Sequence, residues 1–268
     1  MQTLRPKPEE QGLRRPSFAV SLLARTVYAT MLVDHGYRLF DRVRSRMVLA
    51  CASEEFYETI NGFSYGRQDC FRPGTKSFLS SLFPFEERAI SRYFPSPPAI
   101  VLIGGAGGGR EALALARRGY RIVAFDPISS LTAALARFCG ELPIETFVGR
   151  YEQLPMVSSL EHPAVKVDLR PRGPFAAAIL GWASFSNLRS DQHRVETLKQ
   201  FGDLTDGPIL VSYFPSSVEG SRAQFSPNLG YYQPFSSTEF RALVERAALN
   251  IIYLEDRPDS WGHAVVRA

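Results

Sequence analysis

Five of the six residues 104–109 are glycine, Gly104-Gly105-Ala106-Gly107-Gly108-Gly109, standing between an apolar run that ends at Ile103 and a helical pattern that opens at Arg110. No other feature constrains the fold as strongly. Glycine at 105, 107 and 109 lets the backbone turn sharply and come close to a bound molecule, and the unpaired N–H groups of a helix start face that molecule. Asp126 ends the next apolar run, 21 residues after Gly105. A carboxylate there accepts hydrogen bonds from both ribose hydroxyls of an adenosine-type ligand. The competing reading makes Asp126 a cap for a helix beginning near Ser129 or Ser130, and the glycines a purely structural turn.

From Pro98 onward, short apolar runs at 99–103, 121–125, 145–148, 176–180 and 209–213 read as strands, with helical patterns between them at 110–118, 130–138 and 190–201. This alternation predicts an α/β fold, a doubly wound, mostly parallel sheet with helices on both faces. A long loop, 214–236, then precedes a helix at 238–248, and the runs 251–254 and 263–266 are joined by only eight residues. Parallel strands need a crossover of about a dozen residues or more, so the last two should pair antiparallel. Seven strands are expected, the last one antiparallel.

The chain before Pro98 reads as helical. Residues 1–16 form a polar tail, after which Ser17 can cap a stretch carrying Leu23, Val27 and Met31 and then Phe40, Val43 and Met47 at helical spacing. The pattern continues through Glu54-Glu55-Phe56-Tyr57, breaks at Asn61-Gly62, and resumes at 84–93 after a loop containing Pro73-Gly74. These features divide the chain into an N-terminal helical cap or lid, 1–83, and a ligand-binding domain, 84–268. The apolar run 18–33 is interrupted by Arg25 and too short for a bilayer, so it reads as a core helix. The basic residues before it (Arg5, Lys7, Arg14, Arg15) are not followed by a small-residue cleavage site.

Charge and cysteine content narrow the partners. The net charge is +4, but only four of the 31 basic residues are lysine and the arginines alternate with acidic residues, as in Glu86-Glu87-Arg88. Basic blocks of the kind a nucleic acid or an anionic membrane requires are missing, so neither is expected as a partner. Cys51, Cys70 and Cys139 are odd in number and lack CxxC spacing, which argues against a disulfide framework and a structural zinc site and for a reducing, cytoplasmic setting. No metal is expected.

The glycine turn with Asp126 resembles the first two motifs of class I S-adenosylmethionine (SAM)-dependent methyltransferases, and the resemblance runs from about Pro84 to Ala268. It includes the antiparallel final strand, which sets that family apart from ordinary dinucleotide-binding domains. The resemblance implies SAM as cofactor, with Gly105-Ala106-Gly107 passing its methionine and ribose portion, Gly109 completing the turn and Asp126, followed by Pro127, holding the ribose. It also implies that the segment from Phe147 to Pro155 contacts adenine. The chain departs from the family at two places: Ile103 stands where an acidic residue is common, and Arg150 where an Asp meets the adenine amino group. Arginine has no acceptor for an amino group, which leaves Tyr151 and the backbone to frame adenine, with Arg150 turned towards Glu152. Glu111 either faces the ligand's ammonium or only favours the helix dipole. A dinucleotide-binding reading, and with it an NAD(P)-dependent oxidoreductase, asks for GxGxxG, and the sixth position from Gly105 is Arg110.

For methyl transfer the protein must align a nucleophile with the activated methyl and exclude water. The fourth strand ends at Gly181-Trp182-Ala183-Ser184-Phe185-Ser186-Asn187, where similar enzymes place residues between cofactor and substrate, so Gly181 is assigned to the cofactor and Trp182 to the reacting centre. Tyr213, Phe225, Tyr231, Tyr232 and Phe235 around the long loop are read as shaping a substrate pocket, with Tyr232 at the reacting centre. The segment from Phe56 to Gly66, with Tyr65, is read as a lid over the cofactor, against the alternatives of packing on the sheet or forming a homodimer through the N-terminal helices. The expected activity is methylation of an oxygen or nitrogen of a small molecule or peptide. A catalytically silent SAM-binding partner subunit is the alternative, motivated by Ile103, Arg150 and the lack of an evident base.

Overall fold

The computed structural model of the chain describes residues 26, 28, 31–33, 36–37, 40, 43, 47, 53–78, 81–221, 223–226, 228–255 and 261–268. Two compact units divide between Ala52 and Ser53. The described residues of the first unit are helical, and Met31, Leu32, Val33, Phe40, Val43 and Met47 are exposed. The part of the expected core helix at 31–33 is therefore not in a core, and residues 18–25 lie outside the described residues.

In the second unit the strands are β1 (Ile100–Gly104), β2 (Arg121–Asp126), β3 (Ile144–Val148), β4 (Met156–Ser159), β5 (Lys166–Asp168), β6 (Ala177–Leu180), β7 (Ile209–Tyr213), β8 (Gln224–Ser226), β9 (Gly230–Tyr232), β10 (Asn250–Glu255) and β11 (Gly262–Arg267). The helices are α1 (Glu54–Gly66), α2 (Pro84–Tyr93), α3 (Arg110–Ala116), α4 (Ser129–Phe138), α5 (Asp191–Leu204) and α6 (Ser237–Arg246). One sheet has the order β10-β11-β7-β6-β1-β2-β3-β4-β5. Strands β3, β2, β1, β6 and β7 are parallel, while β11 lies between β7 and β10 and is antiparallel to both. The antiparallel closing pair is thus present.

The sheet is wider than the seven strands expected. An antiparallel hairpin, β4 with β5, extends the β3 edge. These strands are four and three residues long and carry Ser158, Ser159, Lys166 and Asp168, so neither length nor apolar alternation announces them. A second hairpin, β8 with β9, forms inside the long loop. Helix α1 also continues through Asn61-Gly62, where a break was expected. Ser53 caps its start, its Oγ accepting from Phe56 N, and the Asn61 side chain accepts from Tyr231 N at 2.9 Å. Tertiary pairing with β9 overrides the local breaker.

The sheet is buried on both faces. Along β1 the side chains alternate: Val101 and Ile103 pack with Leu113 and Ile122, and Leu102 with Val123 and Phe201 on the other side. This explains why β1 reads as an unbroken apolar run.

A buried ion network fastens α2 to the glycine turn. Arg110 donates to both oxygens of Glu86 at 2.6 Å, to Glu111 Oε1 at 2.7 Å and to the Ser81 carbonyl, while its guanidinium lies 3.9 Å from the centre of the Phe83 ring. Glu86 also accepts from Phe83 N and so closes the capping box of α2. Burial opposes the Arg110 charge, but the Glu111 and Glu86 carboxylates outweigh it and hold its pKa above the ordinary value. Breaking such a network strands buried carboxylates, so Arg110→Met should lower unfolding free energy by about 3–5 kcal/mol at neutral pH. Burial already holds the Glu86 carboxyl above its ordinary value and the variant removes its guanidinium partner, so the loss shrinks as pH falls and protonation removes the Glu86 charge. Urea denaturation at neutral and mildly acidic pH reads both effects.

Candidate functional site

The turn after β1 is held from below and above. Gly105 has φ +66°, and a Cβ there would stand 2.6 Å from Tyr151 Oη and 2.7 Å from Ser184 Cβ. A side chain is excluded on both counts. At Gly108 a Cβ would lie 1.8 Å from the Phe71 carbonyl oxygen, because the segment after α1 crosses directly over the turn. Apart from the glycine at 108 nothing in the sequence announces this crossing, which brings Gln68 and Phe71 to the site.

Beneath that segment lies a cavity of about 290 Å³ at the C-terminal ends of the parallel strands. Gly105, Ala106, Gly107 and Gly108 line it from β1, Asp126, Pro127 and Ile128 from β2, and Trp182, Ser184 and Asn187 from the end of β6. Glu111, Arg150 and Tyr151 also line it, as do Tyr57, Asn61 and Tyr65 of α1. The Cβ that Gly107 lacks would meet nothing within 4 Å, so the space above the turn is open to a ligand.

Asp126 is buried and accepts from Gly107 N at 2.7 Å through Oδ2 and from Ile128 N at 2.8 Å through Oδ1. It thereby ties the turn to the second strand, and each oxygen keeps a further lone pair. Burial pushes its carboxyl up to about 6, held back by the two N–H donors and raised further by Glu111. Glu111 Oε1 accepts from Arg110 and, at 3.2 Å, from Trp182 N, so it bridges the turn to the β6 loop. Its role is more than a favourable place in the helix dipole.

Several residues assigned from the sequence stand elsewhere. Tyr232 lies outside the cavity lining: its hydroxyl donates to Gln224 Oε1 across the β8–β9 hairpin and its ring packs on Phe214. Along β9 the faces alternate, so Tyr231 is buried against Tyr57 and Tyr232 points the other way. Tyr213, Phe225, Tyr231 and Phe235 are also outside the lining. Gly109 is outside it too, capping α3 with φ +83° against Leu135, as is Gly181, whose absent Cβ admits the Gly105 carbonyl. The Tyr151 ring packs between Phe125 and Phe201 below the turn, and its hydroxyl meets Ser184 Oγ at 2.5 Å. Arg150 N donates to Gln153 Oε1.

Trp182 and Tyr65 belong to one aromatic wall. Phe71 lies between them, edge-on to Tyr65 at 5.1 Å and stacked on Trp182 at 6.1 Å, and Phe83 and Trp261 support Trp182 at 5.3 and 4.7 Å. Tyr65 Oη donates to the Leu229 carbonyl and accepts from Asn187 Nδ2, each at 3.1 Å. Burial pushes its pKa up to about 12, so it stays protonated at neutral pH.

Neither a family model nor a curated protein matches the sequence. Solved structures do match the fold. A SAM-dependent methyltransferase from Methanosarcina mazei aligns at TM-score 0.52 and 16% identity over 69% of this chain and 97% of its own. The CcbJ methyltransferase from Streptomyces caelestis aligns at 0.51 and 13% over 65% and 84%, and the Burkholderia thailandensis 1,6-didemethyltoxoflavin-N1-methyltransferase at 0.51 and 17% over 81% and 92%. The fold is that of the class I SAM-dependent methyltransferases. Among the described residues no helix is long and apolar enough to cross a membrane.

The crossing at Gly108 has a measurable consequence. Gly108→Ala should push the segment from Asp69 to Phe71 off the turn at a cost of about 1–3 kcal/mol, as overpacking does. Faster amide exchange at 69–78, with the β1 and β2 amides unchanged, is the expected result.

Proposed function

We propose that the chain is an enzyme that transfers a methyl group from SAM to an oxygen or nitrogen of a small molecule or peptide. The observation that carries this reading is the convergence of the glycine turn and the Asp126 carboxylate on one cavity in a sheet of this fold. Support for SAM over a dinucleotide comes from β11, inserted antiparallel between β7 and β10, where dinucleotide-binding sheets of the 3-2-1-4-5-6 order have no such strand. The 1,6-didemethyltoxoflavin enzyme was solved with its substrate and S-adenosylhomocysteine bound, so this architecture accommodates a small acceptor beside the cofactor.

The residues present fit the cofactor. Asp126 would accept from the ribose hydroxyls through its remaining lone pairs, and Pro127, Ile128, Arg150 and Tyr151 would frame the adenine end. Gly105, Ala106 and Gly107 would pass beneath the methionine portion, with Glu111 facing its ammonium. When bound, SAM supplies an activated methyl on a positively charged sulfur. The chain's part is to orient and to exclude water: Trp182 and Phe71 wall the reacting side, and α1 with Tyr65 serves as the lid. The homodimer through the N-terminal helices and the cytoplasmic setting remain part of this reading.

Asp126→Ala should weaken SAM binding about tenfold or more, since hydrogen bonds to a charged group are worth about 1.5–3 kcal/mol. Its raised pKa adds a pH signature. Ionisation above about 6 costs the ligand-free fold stability, and hydroxyl donors recover part of that cost, so affinity should strengthen as pH rises through about 6 and fall below it. Calorimetric titration of wild type and variant checks both, and wild-type affinity in the variant would sink the assignment. For the lid, Tyr65→Phe should lower turnover more than it lowers thermal stability, because it removes one hydroxyl and no packing volume.

A further inference from the structure

The aromatic wall carries two buried polar atoms without partners, and together they describe a ligand. The Tyr65 proton is committed to the Leu229 carbonyl, which cannot donate, so Tyr65 Oη is the acceptor for Asn187 and the amide must present Nδ2 to it. That fixes the other end of the amide: Asn187 Oδ1 is an acceptor, is buried, and has no hydrogen-bond partner. Trp182 Nε1 is a buried donor, also without one. Both residues line the cavity, and between them stand the rings of Tyr65 and Phe71. Native proteins leave few such groups unpaired, because each costs about 1–3 kcal/mol.

We propose that this half of the cavity binds an aromatic molecule that carries one N–H or O–H donor and one acceptor atom, the donor held by Asn187 Oδ1 and the acceptor by Trp182 Nε1. The inference rests on the methyltransferase reading and names the substrate class of that site. The wall supplies ring faces and edges for stacking, and the two orphan atoms set the direction in which a flat molecule lies. Asn187 touches the ligand directly in this arrangement, and the Tyr65 hydroxyl is the positioning group that fixes the orientation of its amide. An aliphatic polyol would gain nothing from the rings, and a molecule with only acceptors would leave Asn187 Oδ1 unpaired.

The probe is 2-quinolone, an aromatic bicycle with one N–H and one carbonyl, set against N-methyl-2-quinolone, which lacks the donor. Both are titrated into the full chain saturated with S-adenosylhomocysteine, and again without it, by calorimetry and by quenching of tryptophan emission. The chain has two tryptophans, Trp182 and Trp261, 4.7 Å apart at this wall, so the optical signal reports the site itself. The expected result is saturable binding of 2-quinolone with about tenfold weaker binding of the methylated compound. In Asn187→Leu the two should bind alike, the difference between them lost whatever the variant does to the affinity for S-adenosylhomocysteine. Equal binding of the two compounds to the wild-type chain, or binding of neither, overturns the inference without any variant. Failure of S-adenosylhomocysteine to bind would instead strike at the methyltransferase reading, which the titration of that compound alone decides.

Discussion

One guanidinium organises the site. Arg110 stands at the first position of α3, buried, between Glu86 from α2 and its own neighbour Glu111, with Asp126 close enough to feel the Glu111 charge. Two carboxylates therefore face one buried cation with a third, Asp126, beside Glu111, an excess of negative charge that a low-dielectric interior tolerates only when the oxygens have donors. The donors are the Phe83, Gly107, Ile128 and Trp182 N–H groups, which belong to four different segments. Satisfying the charge and fixing the mutual placement of α2, the glycine turn, the β2 end and the β6 loop are thus the same act. The excess that remains after Arg110 is the kind of field that favours a ligand carrying positive charge.

The sheet follows from local chemistry as far as the parallel strands go. Runs such as Val101-Leu102-Ile103 are apolar on both faces, and the glycine turn, Asp126 and the short connection before β11 were legible because each rests on one local requirement. What was not legible depends on partners distant in the chain. The β4–β5 hairpin is too short and too polar to register, and Asn61-Gly62 reads as a break until Tyr231 N arrives to pair with Asn61. Neither Tyr231 nor Tyr232 lines the cavity: β9 is hidden inside what reads as a loop, and as a strand it sends the two rings to opposite faces, one into packing against α1 and the other onto Phe214. Phe71 and Gln68 could not be found at all, since the only trace of their approach is the missing side chain at Gly108.

Chain order has a further consequence for how the cavity closes. Helix α1 precedes the sheet, while the β8–β9 hairpin follows β7, yet the two are joined by Tyr65 to Leu229, Gln68 to Asn228 and Tyr231 to Asn61. Tyr57 adds ring contacts to Tyr231 at 5.0 Å and Phe225 at 6.1 Å. By contrast, the Asn187 bond to Tyr65 links this pair to the β6 loop. Helix α1, the Gln68 segment that follows it and the hairpin are therefore held together by hydrogen bonds and a small aromatic cluster, with Asn187 as a tie to the site. A net hydrogen bond is worth about 0.5–1.5 kcal/mol, so releasing the Asn187 tie costs less than separating helix from hairpin. On the proposed lid reading, an opening that keeps α1 and the hairpin together must break the Tyr65–Asn187 bond together with the Gln233 N bond to the Ser186 carbonyl and the contact of the Arg189 guanidinium with the Tyr57 ring.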